Sequence, residues 1–155
     1  MVSDAIFNPF DPRGPPLNQG GAHRPARLEI VIRNQFMLRF VVLIHDHPRL
    51  HWDFMLEKEA TLRTWRLARP PDEAGPIEAQ PLPDHRLAYL DYEGPVSGNR
   101  GSVRRFDRGK YTLIEETGDA LVVELQGSIL KGKAHVKRDD NSDGWWLSFT
   151  PARGI

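Results

Sequence analysis

From residue 36 onward the chain is built of short stretches of period two, and no segment carries a convincing long helical period. Residues 50–57 show this best: His51, Asp53 and Met55 fall on one face, Trp52, Phe54 and Leu56 on the other. Residues 36–44, 61–68, 102–106, 111–116, 121–125, 134–137 and 145–149 are further β-rich segments. Asp107-Arg108-Gly109 and Thr117-Gly118-Asp119 read as short hairpin loops between them. Many short strands with close turns predict an all-β fold, a barrel or a sandwich.

Two segments break the pattern. Residues 1–26 hold Pro9, Pro12, Pro15, Pro16 and Pro25 with Gly14, Gly20 and Gly21, and predict an irregular N-terminal arm. Residues 70–83 are proline-rich and predict a long surface loop, with one short helix accommodated in the 70–90 region. Residues 27–155 are then enough for a single domain with one core.

Composition narrows the chemistry. There are no cysteines, which excludes disulfides, thiolate zinc sites and a cysteine nucleophile. Lys+Arg and Asp+Glu both total 21, so attraction to polyanions must come from local patches. No apolar run reaches the roughly 18 residues of a membrane span, and no basic start leads into an apolar stretch. The expectation is a cytoplasmic protein with no membrane partner.

The chemically informative stretch is His45-Asp46-His47-Pro48-Arg49-Leu50-His51-Trp52-Asp53. Pro48 interrupts the strand ending near His45, and the next strand begins near Leu50. His51 and Asp53 then share a face, and His45 lies across the turn. Two imidazoles and a carboxylate suit Mn²⁺, Zn²⁺ or Fe²⁺ and leave positions open for water and substrate. On spacing alone His47 is as good a ligand as His45, and a chance surface cluster is the competing reading. Asp46 is either a partner that orients a ligand imidazole or a turn cap beside Pro48.

Residues 40–57, FVVLIHDHPRLHWDFMLE, resemble the opening motif of the 3′-phosphoesterase domain of bacterial and archaeal DNA ligase D, typically FVVQKHDARRLHYDFRLE. LRTWRLARP at 62–70, HRLAYLDYEG at 85–94, Gly98-Asn99, Asp107-Arg108-Gly109 and Leu130-Lys131-Gly132 continue the similarity, which spans about residues 36–150. The resemblance implies a small antiparallel β-barrel with a polar crater. It implies a manganese-dependent hydrolase, with zinc or cobalt as alternatives, that trims a 3′ phosphate or 3′ ribonucleoside from DNA. Its partners would be DNA or DNA/RNA primer-template 3′ ends, and a separate ligase or polymerase of end joining. By position it assigns metal binding to His45, His51 and Asp53, and contact with the scissile phosphate to His85 and Tyr89. Without it, His85 reads as a loop histidine and Tyr89 as an amphipathic wall residue.

The chain departs from that pattern. Met55 stands where the family has arginine, Leu43 where it has glutamine, and Arg69 where it has lysine. A bidentate phosphate donor is thereby lost, and Arg49, Arg66 and Arg69 are the candidates to replace its charge. The tryptophans Trp52, Trp65, Trp145 and Trp146 read first as core. Adjacent Trp145 and Trp146 point to opposite faces, so one of them is a candidate for base stacking. Lys131, Lys133, Lys137 and Arg138 form either a solvated face or a patch for a nucleic-acid backbone. Three functions follow: an end-processing phosphoesterase, a 3′-end-binding module weakened by Met55, and an unrelated metal-dependent barrel acting on a small molecule.

Overall fold

The structure, a computed structural model, describes residues 38–153, so the expected arm over residues 1–26 and Phe36 lie outside it. Nine strands follow in order: β1 (Arg39–His45), β2 (His51–Lys58), β3 (Thr61–Leu67), β4 (Ile77–Arg86), β5 (Gly94–Pro95), β6 (Ser102–Glu116), β7 (Ala120–Gly127), β8 (Lys131–Arg138) and β9 (Trp145–Pro151). A 3-10 turn, Leu87–Leu90, separates β4 from β5. The pairing order β1-β2-β3-β4-β9-β8-β7-β6 returns to β1, so eight antiparallel strands close a ring and β5 adds to the start of β6. This is the expected all-β barrel. Closure is narrowest between β4 and β9, where only Ile77↔Leu147 and Glu78↔Trp146 pair. Among the described residues no helix is long and apolar enough to cross a membrane.

Strand alternation sorts side chains between two cores. Phe40 and Val42 of β1, Phe54 and Leu56 of β2, and Trp65 and Leu67 of β3 turn inward, where Val123, Val136 and Leu147 meet them. Each such buried side chain contributes about 1.5–3 kcal/mol. The alternate residues Val41, Leu43 and Met55 face outward, yet they are buried too. The segment 87–96 lies across them and brings Tyr89, Leu90 and Val96 into a second apolar cluster. Trp52 packs against the inner core, as its position opposite the His51 face predicts.

Two expectations need correction. The supposed loop over 70–83 is strand from Ile77 onward, paired with β3 from Ala79 to Arg86. Prolines argue against a strand because they cannot donate to a ladder. Here Pro81 and Pro83 lie beyond the two residues that pair with β9, where among the described residues β4 has no strand on its second side, and Pro83 sits at a bulge. The supposed hairpin loop Asp107-Arg108-Gly109 is the middle of the 15-residue β6. β6 leaves β1 and joins β7 there, and glycines at Gly109 and Gly127 permit the approach, since a side chain at Gly109 would strike the Gln126 carbonyl. Thr117-Gly118-Asp119 is the hairpin turn predicted, closed by Thr117 N–H donating to Ala120 O at 2.8 Å.

A β-bulge between Val42 and Leu43 turns Asp107 inward. Its buried carboxylate accepts backbone N–H groups of Ser128, Ile129 and Leu130 at 2.9, 3.0 and 2.7 Å, which ties the β7–β8 turn to β6. Asp107→Ala leaves those donors without their acceptor. It should lower stability by about 3 kcal/mol, read as the shift of a urea unfolding midpoint at constant slope.

Candidate metal centre

β1 and β2 present the site because their register places its members opposite one another. His45 faces His51 across the pair, and Leu43 faces Asp53. All three polar side chains lie on the outer face of the barrel, next to Met55 and Leu43. One ligand atom from each of His45, His51 and Asp53 lies within 4.8 Å of the others. His47 is not part of this group; its ring centroid is 6.5 Å from that of His45.

Hydrogen bonds fix which ring nitrogens point inward. His45 Nε2 lies 2.8 Å from the Arg100 carbonyl and His51 Nδ1 lies 2.8 Å from the Arg49 carbonyl. A carbonyl only accepts, so each of those nitrogens carries the proton. In the neutral rings His45 Nδ1 and His51 Nε2 then hold lone pairs, 3.7 and 3.3 Å from the Asp53 carboxylate oxygens. Lone pairs facing an anion need a cation or a proton between them. His51 Nε2 and Asp53 Oδ1 are buried with no hydrogen-bond partner among the described residues. The donor set therefore fits a divalent metal ion, with backbone carbonyls as the outer supports of both imidazoles.

His85 comes from β4 through a second bulge. Ile77 and Ala79 point inward, and unbroken alternation would send His85 inward as well. The register shift between Leu62 and Thr64 instead aligns His85 with outward-facing Leu62. His85 Nδ1 donates to the Pro83 carbonyl at 2.9 Å, and its ring meets Tyr89 edge-on at 5.8 Å. His45, Asp53, His85 and Tyr89 line a cavity of about 20 Å³ floored by Leu43 and Met55. That volume holds about one ion or water.

The electrostatics follow from burial. Burial pushes the Asp53 carboxyl up, but its contacts with His45 and His51 outweigh this and hold it at about 2. Burial opposes the His45 cation, yet Asp53 and the Arg100 carbonyl raise its pKa on balance. For His85 burial prevails over the attraction of Asp53 and lowers the pKa. Burial also raises the Tyr89 phenol far above its ordinary range, so Tyr89 stays protonated and acts as a donor.

The remaining predicted residues divide. Arg49 and Arg66 line a groove of about 310 Å³ that has His51 in its wall. Arg66 Nε is buried there with no hydrogen-bond partner among the described residues. Arg69 is not brought to this groove wall: it pairs with Glu73 at 3.2 Å and donates to the Pro76 carbonyl at 2.6 Å, within its own loop. Asp46 does not hold a ligand imidazole. It accepts the Ser102 N–H at 2.9 Å, and Gly101 allows the approach at a φ of +72°. The imidazole partner is the Arg100 carbonyl, a backbone atom that no side-chain pattern reveals.

A closed antiparallel barrel with two imidazoles and a carboxylate on its outer wall, faced by a histidine and a tyrosine, is the class that fold and site define. Comparison with known proteins makes it specific. The chain belongs to the DNA ligase D 3′-phosphoesterase domain family, which matches residues 44–138. It is 35% identical over 124 residues, 72% of the chain, to the multifunctional non-homologous end joining protein LigD of Pseudomonas aeruginosa. It is 29% identical over 116 residues, 68% of the chain, to the LigD proteins of Mycobacterium bovis and Mycobacterium tuberculosis. The chain spans 15% of the length of each of these relatives.

The opposite shifts of His45 and His85 are measurable in metal-free protein. Histidine ring resonances followed with pH should place His45 above 6.5 and His85 below it. The stabilities carry opposite signs. The His45 contribution is full below 6.5 and fades as pH rises through its raised midpoint. The His85 contribution is full above 6.5 and fades as pH falls through its lowered one. Asp53→Asn should move both midpoints downward, because Asp53 favours both cations.

Proposed function

We propose that this domain is a metal-dependent phosphoesterase that processes DNA 3′ ends in non-homologous end joining, removing a 3′ phosphate or 3′ ribonucleoside. The observation that carries this reading is the pair of ring lone pairs aimed at the buried Asp53 carboxylate beside an ion-sized cavity. Membership of a family named for 3′-phosphoesterase chemistry supplies the substrate class. Two imidazole nitrogens and one carboxylate oxygen suit manganese, zinc or iron, and the resemblance of residues 40–57 favours manganese. His45, His51 and Asp53 would hold it, and when bound it would polarise a phosphoryl oxygen.

The chain's own groups do the rest. A phosphate at the mouth of the cavity meets the Tyr89 hydroxyl, which remains a donor at every working pH. His85 keeps a basic Nε2 near neutrality, because its Nδ1 proton is committed to Pro83 and burial disfavours the cation. It is thus able to take a proton from the attacking water, and the proton ends on the leaving oxygen, the 3′ oxygen of the chain when a terminal phosphate is removed and the 5′ oxygen of the departing ribonucleoside otherwise. Arg49 and Arg66, in the groove beside His51, supply positive charge along the strand that leads to the end. A ligase, on another domain or another chain, would use the resulting 3′ hydroxyl.

Met55 favours a second reading, a 3′-end-binding module with weakened turnover. It is 1% exposed on the cavity floor beside Leu43, so no guanidinium rises from that position toward a phosphate. One assay separates the readings: a primer-template ending in 3′ phosphate, incubated with Mn²⁺, with conversion to 3′ hydroxyl followed on a gel. The enzyme reading expects product that falls to background in His51→Ala and Asp53→Ala. Arg66→Ala should raise KM about tenfold with little change in kcat. Tight binding of the same DNA without product, with turnover appearing in Met55→Arg, establishes the binding module instead.

A further inference from the structure

On the far side of the ring lies a second charged surface. In the eight-strand ring β9 is four places from β1, and β8 is four places from β2. The outer face of β8–β9 is therefore diametrically opposite the candidate metal centre. β8 alternates cleanly: Gly132, Ala134 and Val136 are buried, while Lys131, Lys133, His135 and Lys137 are exposed. Outward residues on one strand recur about every 6.7 Å. Four basic side chains thus form a straight stripe.

Among the described residues no carboxylate pairs with the lysines of this stripe. Arg39, Lys58, Arg63, Arg69, Arg105, Arg108 and Arg138 each lie within 4.0 Å of a carboxylate. Lys131, Lys133 and Lys137 make none of the ion pairs found among the described residues, although Glu124 stands across from Lys133 on β7. Beside the stripe on β9 run Trp146, Ser148 and Thr150, in register with Lys137, His135 and Lys133. Trp146 is 39% exposed, while its neighbour Trp145 packs on the inner core. A groove of about 470 Å³ runs along Trp146, Lys137, His135 and Ser148, and Asp139 and Asp140 also line it, so the phosphates must follow the lysine side of the groove. Residues 1–37 contain only Asp4, Asp11 and Glu29 as acids against Arg13, Arg24, Arg27 and Arg33, so they offer no acidic run to cover it.

We propose that the outer face of β8 and β9 is a second nucleic-acid surface, which binds a single-stranded segment. Lys133, His135 and Lys137 hold successive phosphates, and Trp146 stacks a base. An exposed aromatic face beside a row of cations favours a single strand over a duplex, whose bases are already stacked. The groove has the volume of a pocket for a group of nucleoside size. Binding here leaves the β1–β2 site open, so the barrel can hold a 3′ end on one wall and an unpaired strand on the other.

The test uses a fluorescein-labelled twelve-residue oligothymidine and the full chain in EDTA at low salt, read by anisotropy. Affinity should be the same whether the fluorescein is carried at the 5′ end or on the 3′ oxygen, where it withholds a free terminus from the β1–β2 site. It should fall at least about tenfold in Lys133→Glu/Lys137→Glu, and the slope of log K against log salt should shrink by about 1.4 for two lost phosphate contacts. Trp146→Ala should weaken binding about tenfold, whereas Trp146→Phe retains most of it. Quenching of intrinsic tryptophan emission by the oligonucleotide should diminish in Trp146→Phe. Unchanged affinity in the charge-reversal and Trp146→Ala variants, each shown folded by circular dichroism, overturns the proposal. So does equal displacement by polyglutamate of the same length, which would assign the face to acidic polypeptides.

Discussion

The candidate centre depends on three hydrogen bonds that run away from it. His45, His51 and His85 each commit one ring nitrogen to a backbone carbonyl, those of Arg100, Arg49 and Pro83. The carbonyls fix ring orientation and tautomer, and so decide where the lone pairs point. For His51 and His85 the carbonyl comes from two residues earlier in the chain. For His45 it arrives from a segment 55 residues away, delivered by the turn before β6. The Asp46–Ser102 contact and the bare backbone of Gly101 clamp that turn against the end of β1. A residue first read as a support of the metal therefore acts one step further out, on the loop that supplies the support.

Two irregularities in strand pairing give the barrel its chemistry. Regular alternation alone would have produced an apolar inside and a solvated outside. The bulge opposite Leu62 and Thr64 turns His85 out of the barrel, and the one between Val42 and Leu43 turns Asp107 into it. The outward residues of β1 and β2 gain their burial from the covering segment 87–96. Asp53 is held ionised in this dry setting by the adjacent imidazoles. Placed against an open sheet face, the same residues would be solvated and their partnership correspondingly weaker.

The sequence was most informative where chemistry follows local period. His51 and Asp53 are two apart on a strand, Pro48 separates them from His45, and the structure brings these three together. It was least informative where the outcome rests on a partner distant in the chain. Pro81 and Pro83 argue against a strand until it is known that the β9 pairing ends at Glu78, before either proline. Asp107-Arg108-Gly109 has turn composition, yet Gly109 serves close contact with the Gln126 backbone and Asp107 serves the β7–β8 turn. The Arg100 carbonyl has no side-chain signature. Arg69 and Arg66 look alike in sequence, and only the fold assigns one to its own loop and the other to the groove beside His51.

The smallness of the central cavity has a consequence for molecular choice. About 20 Å³ admits one ion or water, and its floor is the hydrocarbon of Leu43 and Met55. Phosphorus cannot descend into it, so on the proposed function a phosphate ester would stop at the threshold, with its remaining oxygens and its sugar outside. Whatever distinguishes one terminus from another is consequently written on the rim and the approaches. Chains that keep the same three ligands are free to diverge in taste by changing only the doorway.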